Sequence, residues 1–233
     1  MNTDNLSCIS TELDQLEACL IQSISSDVRL ATEISSYIVE SGGKRIRPTL
    51  TILVGKALGY RGKNLIKLAS SIELLHTASL IHDDVVDQSE KRRGKTSVHR
   101  KWDNAHGVLV GDFVYSKAFQ LMASLNEPEI LRTLADSTNR ISEGEVLQLN
   151  FIGSKDISEN DYFEIIGRKT AELFRASAHS AALLSKTSKQ LVKFSCHFAF
   201  SLGLAFQLRD DLLDYLGLEE DTGKIIGKDF EED

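Results

Sequence analysis

Apolar residues recur at intervals of three and four along most of this chain. Ile9, Leu13, Leu16, Leu20, Ile24 and Val28 form one series; Leu65, Leu68, Ile72, Leu75 and the small Ser79 form a second; Val110, Val114, Ala118, Leu121 and Leu125 form a third. Residues spaced in this way share one face of an α-helix, so each series predicts a helix that buries one side. The same period predicts further helices over 129–149, 158–184 and 189–216. No segment combines sustained alternation with β-branched enrichment, so the fold class is predicted to be all-α. Both prolines agree with this. Pro48 and Pro128 each precede or open a periodic run, where a first helical turn tolerates the missing N–H. Glycine-containing turns at 42–43, 59–62, 92–94, 153–154 and 217–223 separate the helices. No low-complexity linker and no repeat of solenoid length divides the chain, so residues 1–233 are expected to form a single domain.

Charge and cysteine content narrow the chemistry. The 27 Lys and Arg residues stand against 34 Asp and Glu, a formal charge of −7, so no global positive field attracts nucleic acid. An anionic ligand has to be met by a local basic cluster. Cys8, Cys19 and Cys196 form no C-x-x-C pair, which excludes a zinc knuckle or redox dithiol and points to a reducing, cytoplasmic setting. The first residues carry acid early and no basic region, unlike a signal peptide. The longest apolar runs, such as 198–206, fall short of the roughly 20 residues of a spanning helix, so no transmembrane segment is expected.

One acidic pattern occurs twice, as Asp83-Asp84-Val85-Val86-Asp87 and as Asp210-Asp211-Leu212-Leu213-Asp214. In a helix, residues four apart share a face about 6 Å apart along the axis, so Asp83 with Asp87, and Asp210 with Asp214, aim two carboxylates at one place. Such like charges repel, more strongly when desolvated, and a cation offsets them. Oxygen donors with no Cys or His motif nearby suit Mg²⁺, which keeps waters and takes further ligands from phosphate groups. One such cluster alone reads equally well as a solvated helix face; two copies flanked by apolar helix favour the metal.

The basic complement lies in GGKRIRP at 42–48 and RRGK at 92–95. Arginine offers a planar fork to phosphate oxygens and lysine a flexible point charge. Together with ELLHTASLIHDDVVD at 73–87, VLVGDFVYSKAFQ at 108–120, EGEVLQL at 143–149, KTAELF at 169–174 and FQLRDDLLDY at 206–215, these motifs cover nearly the whole chain after about residue 40. In that order the chain closely resembles the trans-isoprenyl (polyprenyl) diphosphate synthases, especially the long-chain, octaprenyl-type members.

The resemblance implies an isoprenoid-synthase-type helical bundle around a central cavity. It also implies head-to-tail transfer of an allylic prenyl group from its diphosphate to isopentenyl diphosphate, giving a long-chain product for quinone side chains. Residue by residue, Asp83, Asp84, Asp87, Asp210, Asp211 and Asp214 match the two aspartate-rich motifs, which hold Mg²⁺, three ions with substrate bound. Lys44, Arg47, His76 and Arg93 match the isopentenyl diphosphate site. Arg92, Lys169 and Lys224 match groups that hold the allylic diphosphate, and Thr170 and Gln207 match positions beside the developing carbocation. Ala78 and Ser79, small residues just before the first acid cluster, match a chain-length ruler that bulky aromatics close in short-chain members. Homodimers are usual in the family.

His82, beside Asp83, is expected to make a supporting hydrogen bond; His99, His106, His179 and His197 are expected to be structural. Glu143, Glu145 and Asp112 recur in the family without chemistry legible from sequence. The chain departs from the family at its end: members continue with further helices after the point where residues 229–233 stop, so the bundle is expected to lack them. Two competing functions remain. A terpene cyclase shares the ionisation step but needs no second diphosphate site, and a non-catalytic subunit of a heteromeric synthase does not need both acid motifs.

Overall fold

A computed structural model describes residues 3–152 and 157–216. The chain divides into two compact units, residues 1–131 and 132–233. Among the described residues the regular structure is helical apart from one hairpin of two two-residue strands.

The first unit opens with a 3-10 helix over Thr3–Ile9, followed by α1 (Ser10–Ser23), α2 (Arg29–Val39), α3 (Ile46–Ala57) and α4 (Asn64–Val86). The first apolar series is therefore split, with Val28 exposed just before α2. α4 is the centre of this unit and packs against α1, α3 and α6 (Asn104–Ser124). That position explains its composition: Leu65, Leu68, Ala69, Ile72, Leu74, Leu75, Ala78 and Ile81 are buried all round the helix, as expected for one enclosed by neighbours. Leu16 and Leu20 of α1, Ile34 of α2, Ile52 of α3 and Val114, Ala118 and Met122 of α6 complete the core. Beyond α4, strands β1 (Lys91–Arg92) and β2 (Lys95–Thr96) pair antiparallel around a turn with Arg93 and Gly94 at positive φ. The short α5 (Val98–Lys101) leads into α6, which is capped by Asp103 accepting from the His106 N–H.

Helix α7 (Pro128–Leu149) starts at Pro128, as its missing N–H favours, and the unit boundary falls within it. In the second unit, α8 (Glu159–Ile166) opens with a capping box between Ser158 and Asp161. A π-helical turn (Gly167–Ala171) joins α8 to α9 (Glu172–Leu184), so the predicted helix over 158–184 carries an inserted widening. α10 (Lys189–Tyr215) packs on α9 and on the π turn. Gly203 makes this approach possible: a Cβ there would stand 2.6 Å from the Ala171 Cα, a backbone atom that cannot swing aside. Among the described helices, α10 is long and apolar enough by length and composition to cross a membrane, which the shorter uninterrupted apolar runs do not predict because polar residues are interspersed along it. Its other face is largely uncovered, with Phe194, Phe198 and Leu212 exposed.

Candidate active site

In the first unit, three chain segments bring basic side chains together. The 42–45 loop turns through Gly42 (φ 73°), Gly43 (φ 151°) and Arg45 (φ 47°) before entering α3. A Cβ at Gly43 would lie 2.6 Å from the Arg93 guanidinium, so glycine lets that group rest on the loop, where its Nη1 donates to the Gly42 carbonyl. Arg45 points the other way: it donates to Glu17 at 2.7 and 3.1 Å, to Glu73 at 2.8 Å and to the Val39 carbonyl at 2.9 Å. This ion triad, with Glu73 buried, Arg45 nearly so and Glu17 partly exposed, anchors the loop so that Arg47 faces α4.

Arg47 Nη1 lies 3.1 Å from His76 Nε2. A guanidinium only donates, so Nε2 accepts and the His76 proton resides on Nδ1. Burial, then the charges of Arg47 and Arg93, hold the His76 pKa well below its ordinary value. Burial also lowers Arg47 to about 10, against the pull of Glu73, and depresses Arg93. Cations packed this tightly, beside a neutral imidazole, form a pocket of positive potential suited to a polyanion. Lys44 is exposed on the same loop.

The first acid cluster occupies the last turn of α4, where unpaired carbonyls already favour a cation and no basic side chain is present. Its three carboxylates differ. Asp83 is half-buried and Asp87 exposed, while Asp84 is buried and its Oδ1 accepts from Arg92 Nε at 2.9 Å and Nη2 at 2.6 Å. Burial raises the Asp84 pKa, with Arg92 opposing. A cleft lined by Asp84, Arg92, Arg93, Lys95, Tyr37 and Thr77 opens beside them. His82 supports this end of α4 through Val108 O at 3.2 Å and Asp112 at 3.4 Å, its ring lying against Gly111. Of the ruler pair, Ala78 is wholly buried and Ser79 half-buried, its hydroxyl donating to the His76 carbonyl.

In the second unit the other acid cluster likewise lies near the C-terminal end of α10, again with no basic residue in the last turn. Asp211 is held on both oxygens: Gln207 Nε2 donates to Oδ1 at 2.7 Å, and the Tyr162 hydroxyl donates to Oδ2. Thr170 Oγ1 in turn donates to Gln207 Oε1 at 2.7 Å. Lys169 reaches back to α7, to Gln148 at 2.9 Å and Glu145 at 2.8 Å. Asp210 and Asp214 are half-buried, four residues apart on the same helix. Among the described residues, no three His, Cys, Asp or Glu side chains are gathered into a ready metal cage.

A family profile described as polyprenyl synthetase matches residues 28–233. The chain belongs to the polyprenyl synthetase family. It is similar to an octaprenyl diphosphate synthase of Escherichia coli (strain K12), 42% identical over 233 residues that span 100% of this chain and 72% of the relative. It is also similar to an all-trans-nonaprenyl-diphosphate synthase (geranyl-diphosphate specific) of Rhodobacter capsulatus, 40% identical over 98% of this chain and 70% of the relative. Among solved structures, a polyprenyl synthase from Caulobacter crescentus CB15, complexed with calcium and isoprenyl diphosphate, superposes with a TM-score of 0.93 at 39% identity. That match covers 97% of this chain and 69% of the other. The fold is the helical isoprenoid-synthase fold of these polyprenyl synthetases.

Within this polyprenyl synthetase, the predicted Arg47, His76 and Arg93 come together, as do Thr170, Gln207 and Asp211. Lys224 lies outside the described residues. Tyr162, the Glu17–Arg45–Glu73 triad and the Glu145 and Gln148 partners of Lys169 were not legible as site residues. Glu145 and Gln148 are three apart on α7, a spacing that places them on one face, but nothing in the sequence told of a lysine opposite.

Proposed function

We propose that this chain is a Mg²⁺-dependent trans-polyprenyl diphosphate synthase, active as a cytoplasmic homodimer. It joins isopentenyl diphosphate head-to-tail to an allylic prenyl diphosphate and builds a long, octaprenyl-type chain. The observation that carries this reading is the pair of intact D-D-x-x-D clusters at the C-terminal ends of α4 and α10, both without a basic residue in the last turn. The family profile runs through both compact units, which supports reading residues 1–233 as one synthase domain.

The donor set fits a hard divalent cation. Asp83 with Asp87, and Asp210 with Asp214, offer carboxylate oxygens at helical spacing, and Mg²⁺ does not require a protein cage because it draws on water and phosphate. Calcium in the Caulobacter relative supports the same class of ion. When bound, Mg²⁺ supplies Lewis-acid stabilisation of the diphosphate leaving group. The chain's own residues do the rest. Arg47, Arg93 and Lys44 bind the diphosphate of isopentenyl diphosphate, with His76 neutral and able to donate from Nδ1. Arg92 and Lys169 hold the allylic diphosphate. The oxygens of Thr170 and Gln207 present their negative ends to the allylic carbon as its charge grows, a preorganised electrostatic contribution. No side chain needs to be a nucleophile, since the alkene of isopentenyl diphosphate forms the new bond.

Incubation with radiolabelled isopentenyl diphosphate, an allylic primer and Mg²⁺ tests the proposal. Successive elongation is expected; a cyclised product or no reaction overturns it. Light scattering on the same sample is expected to give the mass of a dimer.

A further inference from the structure

The second unit contains a hydrogen-bonded chain that ends on a residue to which the reaction assigns no role. Thr170 donates to Gln207, Gln207 donates to Asp211, and Tyr162 donates to the other oxygen of Asp211. Its direction is fixed. A carboxylate only accepts, so Gln207 must present its NH₂ to Asp211 and its carbonyl to Thr170. A flipped carboxamide would set oxygen against oxygen at 2.7 Å. The orientation of the Gln207 dipole therefore depends on where the Asp211 carboxylate points, and that carboxylate is pinned at two places. Without the tyrosine it can turn about its own Cβ–Cγ bond and take the amide with it.

Tyr162 itself is well braced. It follows Asp161, whose carboxylate accepts from both the Ser158 N–H and hydroxyl in the capping box that fixes the first turn of α8. Its ring packs edge-on against Phe163 at 5.6 Å between centroids.

We propose that Tyr162 is a positioning residue: by fixing the Asp211 carboxylate it aims the Gln207 carboxamide, and so sets the field that Thr170 and Gln207 present to the allylic carbon. This rests on the prenyl-transfer reading above and adds a residue to it. A dipole that matters only as charge develops affects turnover and leaves substrate capture alone.

The test compares the wild-type chain with Tyr162→Phe, which keeps the ring and removes the hydroxyl, using radiolabelled isopentenyl diphosphate and farnesyl diphosphate with Mg²⁺. The expected result is a kcat lowered about 10-fold or more, as for a lost hydrogen bond to a charged group, with both KM values within about twofold. Unchanged kcat, or a raised KM at unchanged kcat, overturns the proposal. A wild-type chain that does not elongate overturns the prenyl-transfer reading instead. The bond is then judged by melting midpoints of Tyr162→Phe, Asp211→Ala and the double variant. A double shift smaller than the sum of the single shifts supports the coupling, and an additive one removes it.

Discussion

Arg92 grips a single oxygen of Asp84, with Nε at 2.9 Å and Nη2 at 2.6 Å both donating to Oδ1. The middle aspartate of the first cluster is thus engaged by protein, and the same is true of Asp211 in the second, which takes hydrogen bonds on both oxygens. In each D-D-x-x-D the outer carboxylates, four residues apart, share one helix face. Three acids close together in the sequence therefore stand in different surroundings, because a helix turns each successive side chain by about 100°.

This difference predicts separable defects. Asp83→Ala and Asp210→Ala are expected to lower the prenyl-transfer rate by about two orders of magnitude or more. Chelation of divalent ions is expected to silence the wild type and to be reversed by added Mg²⁺. Near-normal turnover in either variant would remove the metal assignment.

Arg92→Ala leaves the Asp84 side chain, only 7% exposed, without its donor. A buried carboxylate that loses its partner costs more than the roughly 1–3 kcal/mol of a neutral buried group, and that loss is expected in urea unfolding. Adding Asp84→Asn to Arg92→Ala should recover part of it, because the uncompensated charge is gone. If the double variant is less stable than Arg92→Ala, burial is not the cause.

His76 predicts an acid sensitivity of the fold. Its folded-state pKa is depressed by burial and by Arg47 and Arg93, while the unfolded chain titrates at about 6.5. Above that pH neither state gains a proton and the contribution to stability is complete. As pH falls below about 6.5 the unfolded state takes up a proton that the folded state resists, so stability is lost by at most about 1.4 kcal/mol per pH unit down to the folded pKa. His76→Gln should flatten that slope. Parallel urea midpoints for the two proteins across this range would show that His76 is not held neutral.

The helices were legible because apolar spacing reports burial directly: α4, α6, α7 and α10 fall where the periodic runs lie. The π turn at Gly167–Ala171 was not, since one widened turn does not change which residues are apolar. The sequence shows the hairpin around Arg93 only as a turn, because two-residue strands have no period. Lys44, Arg47, His76 and Arg93 are legible only as members of motifs. The Glu17–Arg45–Glu73 triad escaped because its members, 28 residues apart in each pairing, meet only through tertiary packing.

Gly203 tests that packing. A methyl there would press on the Ala171 Cα at 2.6 Å and the Phe174 Cβ at 3.1 Å. Alanine gains about 1 kcal/mol of helix propensity over glycine, but forcing α10 away from the π turn costs more, typically about 1–3 kcal/mol for overpacking. Gly203→Ala is therefore expected to melt lower, and to lose turnover because Thr170 and Gln207 stand on the two elements driven apart. A higher melting temperature would mean that the contact yields.

Product length tests the ruler, and the structure distinguishes its two residues. Ala78 is wholly buried in the core of the first unit, so Ala78→Phe has to make room among α4's neighbours, and a stability loss of about 1–3 kcal/mol is expected with it. Ser79 is half-buried one position on, and its hydroxyl bonds the His76 carbonyl of its own helix. A phenyl ring at 79 therefore starts from a less enclosed position and costs less. Both variants are expected to shorten the product from a short allylic primer, with Ser79→Phe keeping the higher melting temperature and the higher total turnover. Chromatography of the dephosphorylated products reads this directly: full-length chains from both variants would mean that the growing prenyl chain does not pass this face of α4.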